Sequence, residues 1–265
     1  MSILKNTLIK ATGNRLAQSL LEKNVQVSQY LMGLGSGGDV LSSGEQAILH
    51  VLKQKKQPPY CIFDIGSNKG QFLKLIIEHV ATDDFTIHCF EPGHETFKML
   101  AESSKEDKRI TLNNIGLGKQ KADATLHYDK IGSGLASLTK RKLNHFNIDF
   151  SKSEQVVIDT IDNYCSENSI DHIHLLKIDI EGHELDVLAG AIRMFVSKSI
   201  DIVTFEFGGC NIDTRTYFQD FWYFFSEANF SLFRITPSGY THPLKAYREI
   251  YEQFRTTNFM AVAND

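Results

Sequence analysis

An α/β fold, with a mainly parallel sheet covered by helices on both faces, is predicted by three features of the sequence. Short apolar runs alternate with amphipathic stretches from about residue 60 onward, the pattern of strand–helix–strand crossovers. Several of these runs close on acidic residues (Asp64, Glu91, Asp179 and Glu206), which gathers polar groups at one edge of the sheet. Between the first run and its helix lies Gly66-Ser67-Asn68-Lys69-Gly70, a tight turn at the place where open α/β sheets bind ligands.

The elements follow in order. Residues 1 to about 33 carry Leu4, Leu8, Leu16, Leu20 and Leu21 at helical spacing among Lys5, Lys10, Arg15 and Lys23, and stop at the glycine-rich Gly33 to Gly38. This basic amphipathic stretch either packs over the main domain as a cap, lies on a membrane surface, or holds a second subunit in a homo-oligomer. A further helix is predicted over 43–56, with Ser43 as N-cap and a basic end at Lys53, Lys55 and Lys56. Residues 1–57 thus read as a helical appendage and 58–265 as the main domain, entered through Pro58-Pro59. Strands are expected at 61–64, 85–90, 110–114, 172–178 and 200–207, and helices over 72–80, 95–103 and 183–195. Ile115-Gly116-Leu117-Gly118 reads as a loop able to pack against a purine.

Residues 122–155 interrupt the alternation. They include Ile131-Gly132-Ser133-Gly134-Leu135-Ala136-Ser137 and the basic Lys140-Arg141-Lys142, and form either a substrate lid beside the cleft or a surface loop. Tyr217, Phe221, Trp222, Phe224 and Phe225 have the spacing of a helix packed on a sheet, and Tyr247, Ile250, Tyr251 and Phe254 that of a second amphipathic helix. His172 and His174 alternate on a strand as core or solvent histidines rather than metal ligands.

Composition narrows the function. The 265 residues are 42% hydrophobic and 23% charged, with a net charge of −4 and a pI of about 6.2. Such a balance lacks the basic bias of a protein that grips nucleic acid through phosphates. Cys61, Cys89, Cys165 and Cys210 are dispersed, as expected of free thiols in a reducing, cytoplasmic compartment. No apolar run is long enough to span a bilayer, and the first residues lack a signal-peptide core.

The glycine turn fails the dinucleotide fingerprint, because Asn68 and Gln71 stand where its second and third glycines belong. Asp64 at the strand end would repel a pyrophosphate but suits an ammonium, which favours S-adenosylmethionine over NAD. Glu91, about twenty residues further on, is placed to accept both ribose hydroxyl protons. Downstream, Asp179, Glu181, His183 and Glu184 follow the strand ending at Ile178, and Glu206 joins them from the next strand. Glu181 and Glu184 also fit the role of helix N-terminal acids.

Taken together, Phe63-Asp64-Ile65-Gly66-Ser67-Asn68-Lys69-Gly70, Phe90-Glu91-Pro92, Asn114-Ile115-Gly116-Leu117-Gly118, Thr160-Ile161-Asp162, Leu176-Lys177-Ile178-Asp179-Ile180-Glu181-Gly182-His183-Glu184, Phe205-Glu206-Phe207 and Asn258-Phe259 resemble the FkbM-type family of S-adenosylmethionine-dependent methyltransferases. Ser67 and Gly116 stand where that family usually has alanine, and the N-terminal helices lie outside the match. The resemblance implies a class I methyltransferase (Rossmann-like) fold of seven strands, the last antiparallel, and methyl transfer to a hydroxyl of a sugar, glycan or secondary metabolite. It also implies that Asp64, Gly66, Ser67, Asn68 and Gly70 hold the methionine part of the cofactor, Glu91 and Pro92 the ribose, and Asn114, Ile115 and Gly116 the adenine, with Asp179 nearest the transferring methyl.

For the proton leaving the acceptor hydroxyl, His183, Glu181 and Asp179 are the candidate bases, and His183 is preferred because imidazoles titrate near neutral pH. An alternative places Mg²⁺ between Asp179, Glu206 and Asn211. Competing readings are a non-catalytic S-adenosylmethionine sensor or scaffold, a nucleic-acid methyltransferase, and an NAD-linked oxidoreductase.

Overall fold

The computed structural model describes residues 3–38, 43–80, 85–104 and 107–264, residues 3 and 4 by their backbone only; the side chain of Leu4 thus lies outside the described residues. Helices α1 (Ile3–Ala11), α2 (Arg15–Leu31) and α3 (Gln46–Lys55) precede strand β1 (Tyr60–Ile65). Crossovers then give α4 (Gln71–His79), β2 (Phe85–Phe90), α5 (His94–Ser103) and β3 (Ile110–Asn113). Next come β4 (Gly116–Leu117), β5 (Ala122–Tyr128), β6 (Lys152–Asp159), α6 (Ile161–Glu167), β7 (Ile173–Ile178), α7 (Glu184–Ala189) and α8 (Ile192–Val196). The chain closes with β8 (Ile200–Phe207), α9 (Cys210–Thr214), α10 (Phe218–Glu227), β9 (Phe230–Ile235), β10 (Thr241–Leu244) and β11 (Thr257–Ala263).

The main sheet runs β3-β2-β1-β7-β8-β11-β9-β10. Pairings among β3, β2, β1, β7 and β8 are parallel, and β11 is antiparallel to both neighbours. This is the class I order with its reversed final strand, plus an eighth strand that the sequence reading did not include. The addition is local: Gly239, at φ 79°, turns the chain so that Thr236 N–H reaches the Tyr240 carbonyl at 3.0 Å, and β10 folds back on β9. Pro243 is tolerated there because an edge strand leaves one side of its backbone unpaired.

Apolar residues fill both faces. One face buries Phe63, Leu176, Val203, Phe205 and the α10 residues Phe218, Phe221 and Phe225, with Phe205 stacked on Phe221 at 4.6 Å. The other buries Ile62, Ile87, Leu175 and Ile202 under α3 and α4, whose Ile48, Leu52, Phe72 and Ile76 are sealed from solvent. Of the aromatic series, Phe221 and Phe225 are core as the spacing predicted and Trp222 and Phe224 pack partly buried against it, whereas Tyr217 stands at the N-cap of α10 and is exposed.

Several boundaries differ from expectation. The helix assigned to 43–56 begins at Gln46 with Glu45 at its N-cap position, and Ser43 Oγ donates to Glu45 Oε1. The 183–195 helix breaks at Gly190, where an added Cβ would lie 2.0 Å from the Gly118 carbonyl oxygen. Gly116-Leu117 is a short strand on β6, not a loop. Around Tyr247 to Phe254 only Glu249–Tyr251 is helical, as a 3₁₀ turn, because the Glu252 carboxylate is drawn to the Phe218 and Gln219 amides at the start of α10, both at 2.8 Å. In α2 no residue is buried, with Leu16 73% and Leu31 70% exposed, so this helix does not cap the domain. No helix among the described residues is long and apolar enough to cross a membrane, and all four cysteines are free thiols.

Candidate active site

The site is built where β1, β2, β7 and β8 end. Gly66 adopts φ 82°, and a Cβ there would fall 1.9 Å from the Asp179 carbonyl oxygen, so only glycine lets β1 and β7 close together. Gly66 and Ser67 amides both donate to the Phe90 carbonyl at 3.0 Å, which ties the turn to the end of β2. Asn68, at φ 47°, donates its amide to Glu91 Oε2 at 3.0 Å, while Glu91 Oε1 accepts from Gly93 N at 2.9 Å. Burial pushes the Glu91 carboxyl up to about 7 against the pull of those two amides. Asn114 Nδ2 donates to the Glu91 and Pro92 carbonyls at 2.8 and 3.1 Å, fixing the turn that carries Glu91.

A cavity of about 350 Å³ opens over these strand ends, within the size range of small-ligand sites. Gly66, Ser67, Asn68, Glu91, Pro92, Gly116, Asp179, Glu181, His183 and Glu206 line it. Asp64, Gly70, Asn114 and Ile115 do not: Gly70 caps α4 in a left-handed conformation, Asn114 braces the Glu91 turn, and Ile115 packs on the core. One end is apolar, walled by Pro92, Leu117, Leu126 and Ile158, a slot suited to a flat base. At the rim, Asn68 Oδ1 is buried with no hydrogen-bond partner, a free acceptor waiting for a ligand donor.

Under the loop runs a charge network. Asp64 is fully buried and its carboxylate lies 3.5 Å from Lys177 Nζ, which also reaches Asp179 at 3.2 Å. The carboxylate expected to face the cofactor is thus turned toward a lysine of the neighbouring strand. Burial opposes the Lys177 ammonium, but Asp179 and Asp64 outweigh it and hold its pKa above the ordinary lysine value. A lone lysine inside the apolar run Leu175-Leu176-Lys177-Ile178 was the sequence signal for this partner.

The far end is polar and is closed by the segment between β5 and β6. Glu181, at φ 58°, and Gly182, at φ 107°, form a turn held by Glu184 Oε1, which accepts the Gly182 amide at 2.9 Å. Glu184 is therefore the structural acid of the pair, its carboxyl raised to about 7 by burial. Arg141, almost fully buried, pairs with Glu181 and stands 3.7 Å from Asp213; Ser137 Oγ donates to the Glu181 carbonyl at 2.8 Å. Burial raises the Glu181 carboxyl to about 8 despite Arg141. His183 Nδ1 lies 2.8 Å from Asp186 Oδ2 and its Nε2 2.9 Å from Thr139 Oγ1. The hydrogen bond from His183, with burial acting against it, holds the Asp186 carboxyl below its ordinary value; facing a carboxylate, Nδ1 is the donor, and in the neutral ring Nε2 is then the acceptor for the threonine hydroxyl. Burial and then the neighbouring Asp179 raise Glu206 well above the ordinary carboxyl range.

Of the residues named for Mg²⁺, Asp179 and Glu206 line the cavity, but Asn211 is fully buried and spent on Gly208 N and Thr216 Oγ1, both at 2.8 Å. His172, His174 and Asp201 cluster at the opposite end of β7 and are engaged internally: His172 with Asp201 at 2.8 Å, His174 Nδ1 with the Cys61 amide at 2.9 Å, and Asp201 with Lys56 at 2.7 Å. The sequence reading missed Glu45, Thr139 and Arg141 as site residues. All three come from segments distant in sequence from the strand ends they meet.

The profile of the methyltransferase FkbM domain matches residues 64–232 of this chain. The chain belongs to the FkbM methyltransferase family. Its curated relatives in that family include hexuronic acid methyltransferase AglP of Haloferax volcanii, 25% identical over 62% of this chain and 64% of the relative. The 2-O-methyltransferase NoeI of Sinorhizobium fredii is 23% identical over 67% of this chain and 75% of its own. The chain thus spans less than two thirds of the length of the first of these. Among solved structures, an FkbM methyltransferase from Methylobacillus flagellatus KT covers 91% of this chain and 60% of its own at 16% identity and a TM-score of 0.44.

Proposed function

We propose that this protein is an S-adenosylmethionine-dependent O-methyltransferase acting on a hydroxyl of a sugar, glycan or secondary metabolite. The observation that carries the reading is the Asp186–His183–Thr139 chain at the polar end of the cavity, beside Asp179. An imidazole oriented by a carboxylate, with its other nitrogen facing a hydroxyl that a substrate hydroxyl can replace, is equipped to take a hydroxyl proton. Two relatives whose names specify hexuronic acid and 2-O methylation support a sugar acceptor.

When bound, the cofactor would supply an electrophilic methyl on a sulfonium. Glu91 and Asn68 are placed to hold its ribose, Pro92, Gly116, Leu117 and Ile158 its base, and the Gly66 turn brings the backbone close to its tail. His183 would accept the proton of the incoming hydroxyl through Nε2 once that hydroxyl replaces Thr139 Oγ1, while Asp186 stabilises the imidazolium. Asp179, at the end of β7, orients the acceptor, and the Arg141-latched segment excludes water. Transfer of labelled methyl from S-adenosylmethionine to a glycan and metabolite extract tests the activity. In His183→Ala, turnover should fall about 10²- to 10⁴-fold while S-adenosylhomocysteine affinity, by calorimetry, stays within about twofold. Near-normal turnover would remove the imidazole from the mechanism.

A further inference from the structure

The sequence places a carboxylate against the ammonium of the donor's methionine tail and names Asp64, yet Asp64 is sealed beneath the loop and absent from the cavity wall; neither of its carboxylate oxygens is hydrogen-bonded, and its nearest cation is Lys177 at 3.5 Å. A different carboxylate occupies the cavity wall. Glu45, from the segment before α3 and outside the family match, is 6% exposed and lines the cavity with Gly37 and Gly38. Its Oε1 accepts from Ser43 Oγ at 3.1 Å and Asn258 Nδ2 at 2.9 Å, so the side chain is fixed in place. Its Oε2 is buried without a hydrogen-bond partner. An ionised or neutral carboxyl oxygen left this way costs free energy that an incoming donor group would recover.

The path of a bound donor leads to it. The apolar slot and Glu91 fix the nucleoside over the ends of β2 and β4, and the cavity continues across Gly66 on β1 to Lys177 and Asp179 on β7. Glu45, bonded to Asn258 of β11, shares a smaller recess with Lys177, Ile178 and Asp179 of β7 and with Thr204, Phe205 and Glu206 of β8.

Building on the S-adenosylmethionine reading, we propose that Glu45 receives the α-ammonium of the methionine tail through Oε2. Burial raises the Glu45 carboxyl, and an ammonium seated beside it restores the charged form. Asp64 then acts at one remove, by holding Lys177 under the turn.

Calorimetry on the full chain separates these roles. Three ligands serve: S-adenosylhomocysteine, its desamino analogue, and 5′-methylthioadenosine, which keeps the nucleoside and lacks the amino-acid tail. In the wild type, loss of the ammonium should weaken binding about 10- to 100-fold, the range of a charge-assisted hydrogen bond. Glu45→Gln should weaken S-adenosylhomocysteine by a similar factor, leave 5′-methylthioadenosine within about twofold, and abolish the difference between the parent ligand and its desamino analogue. Full S-adenosylhomocysteine affinity in Glu45→Gln, or equal weakening of all three ligands, would overturn the proposal. So would an unchanged affinity joined to a raised acceptor KM, which would move Glu45 to acceptor binding. If the wild type bound none of the three, the donor reading itself would fail.

Discussion

Glu184 offers a quantitative check on how the turn after β7 is built. It is fully buried, its Oε1 holds the Gly182 amide at 2.9 Å, and its Oε2 has no partner. Burial moves its carboxyl from an ordinary 4.5 to about 7, with the Gly182 amide pulling the other way. Because the folded-state value is the higher one, the folded chain keeps a proton that the unfolded chain has lost between those two pH values. The stabilisation by that proton is complete below about pH 4.5 and is lost as pH rises through about 7. At roughly 1.4 kcal/mol per unit, the shift is worth on the order of 3 kcal/mol. Glu184→Gln keeps an oxygen for the Gly182 amide and cannot ionise, so its stability should not follow this decline. Urea denaturation of the ligand-free protein at pH 5 and pH 8 should show the wild type losing about 2–3 kcal/mol more than the variant across that interval, part of the total being lost already by pH 5. Parallel losses in the two proteins would refute the reasoning, since Glu91 and Glu181 titrate in the same direction and are common to both.

Two further outcomes follow from ion pairs. Arg141→Met removes the counter-ion of Glu181 and the contact to Asp213, and should speed limited proteolysis between residues 129 and 151 at least about tenfold; unchanged protection would show that Ser137 and Thr139 hold the segment by themselves. Lys177→Met strands Asp64 in the interior at a cost of about 3–5 kcal/mol, whereas Lys177→Met with Asp64→Leu should recover most of that loss in thermal melts. Additive losses in the double variant would mean that the pair does not interact.

Much of this arrangement is legible in the sequence because it is local. Strands 85–90 and 200–207 match their apolar runs residue for residue, and the Gly66 turn, Glu91 and the Asp179-to-Glu184 string meet at one edge because each follows a strand of the same parallel sheet. The N-cap shifts from 43 to 45 through a local contact, Ser43 donating to Glu45 two residues on; the continuous 183–195 helix and the helix near 250 fail where tertiary partners intervene, Gly118 packing directly on Gly190 and α10 capturing Glu252. Arg141 lies forty residues from Glu181, with β6, α6 and β7 between them, and no periodicity announces such a pairing.

The surroundings of Asp64 follow from its place in the strand ladder. In a parallel ladder, residues in register share a face, and Asp64 stands opposite Lys177. Both belong to the strands proper, where neighbours on either side exclude solvent. Around Asp64, the residues Ile65, Gly66, Lys177 and Asp179 all line the cavity, but Asp64 itself does not. A carboxylate inside the ladder meets its neighbour before it can meet a ligand, and it is stable there because that neighbour is a lysine. It follows that neutralising Asp64 would weaken cofactor binding by unsettling Lys177 and the turn above it, even if no ligand atom touched the aspartate. Loss of binding in Asp64→Asn therefore cannot identify the ammonium's partner, whereas matched changes in ligand and protein at Glu45 can.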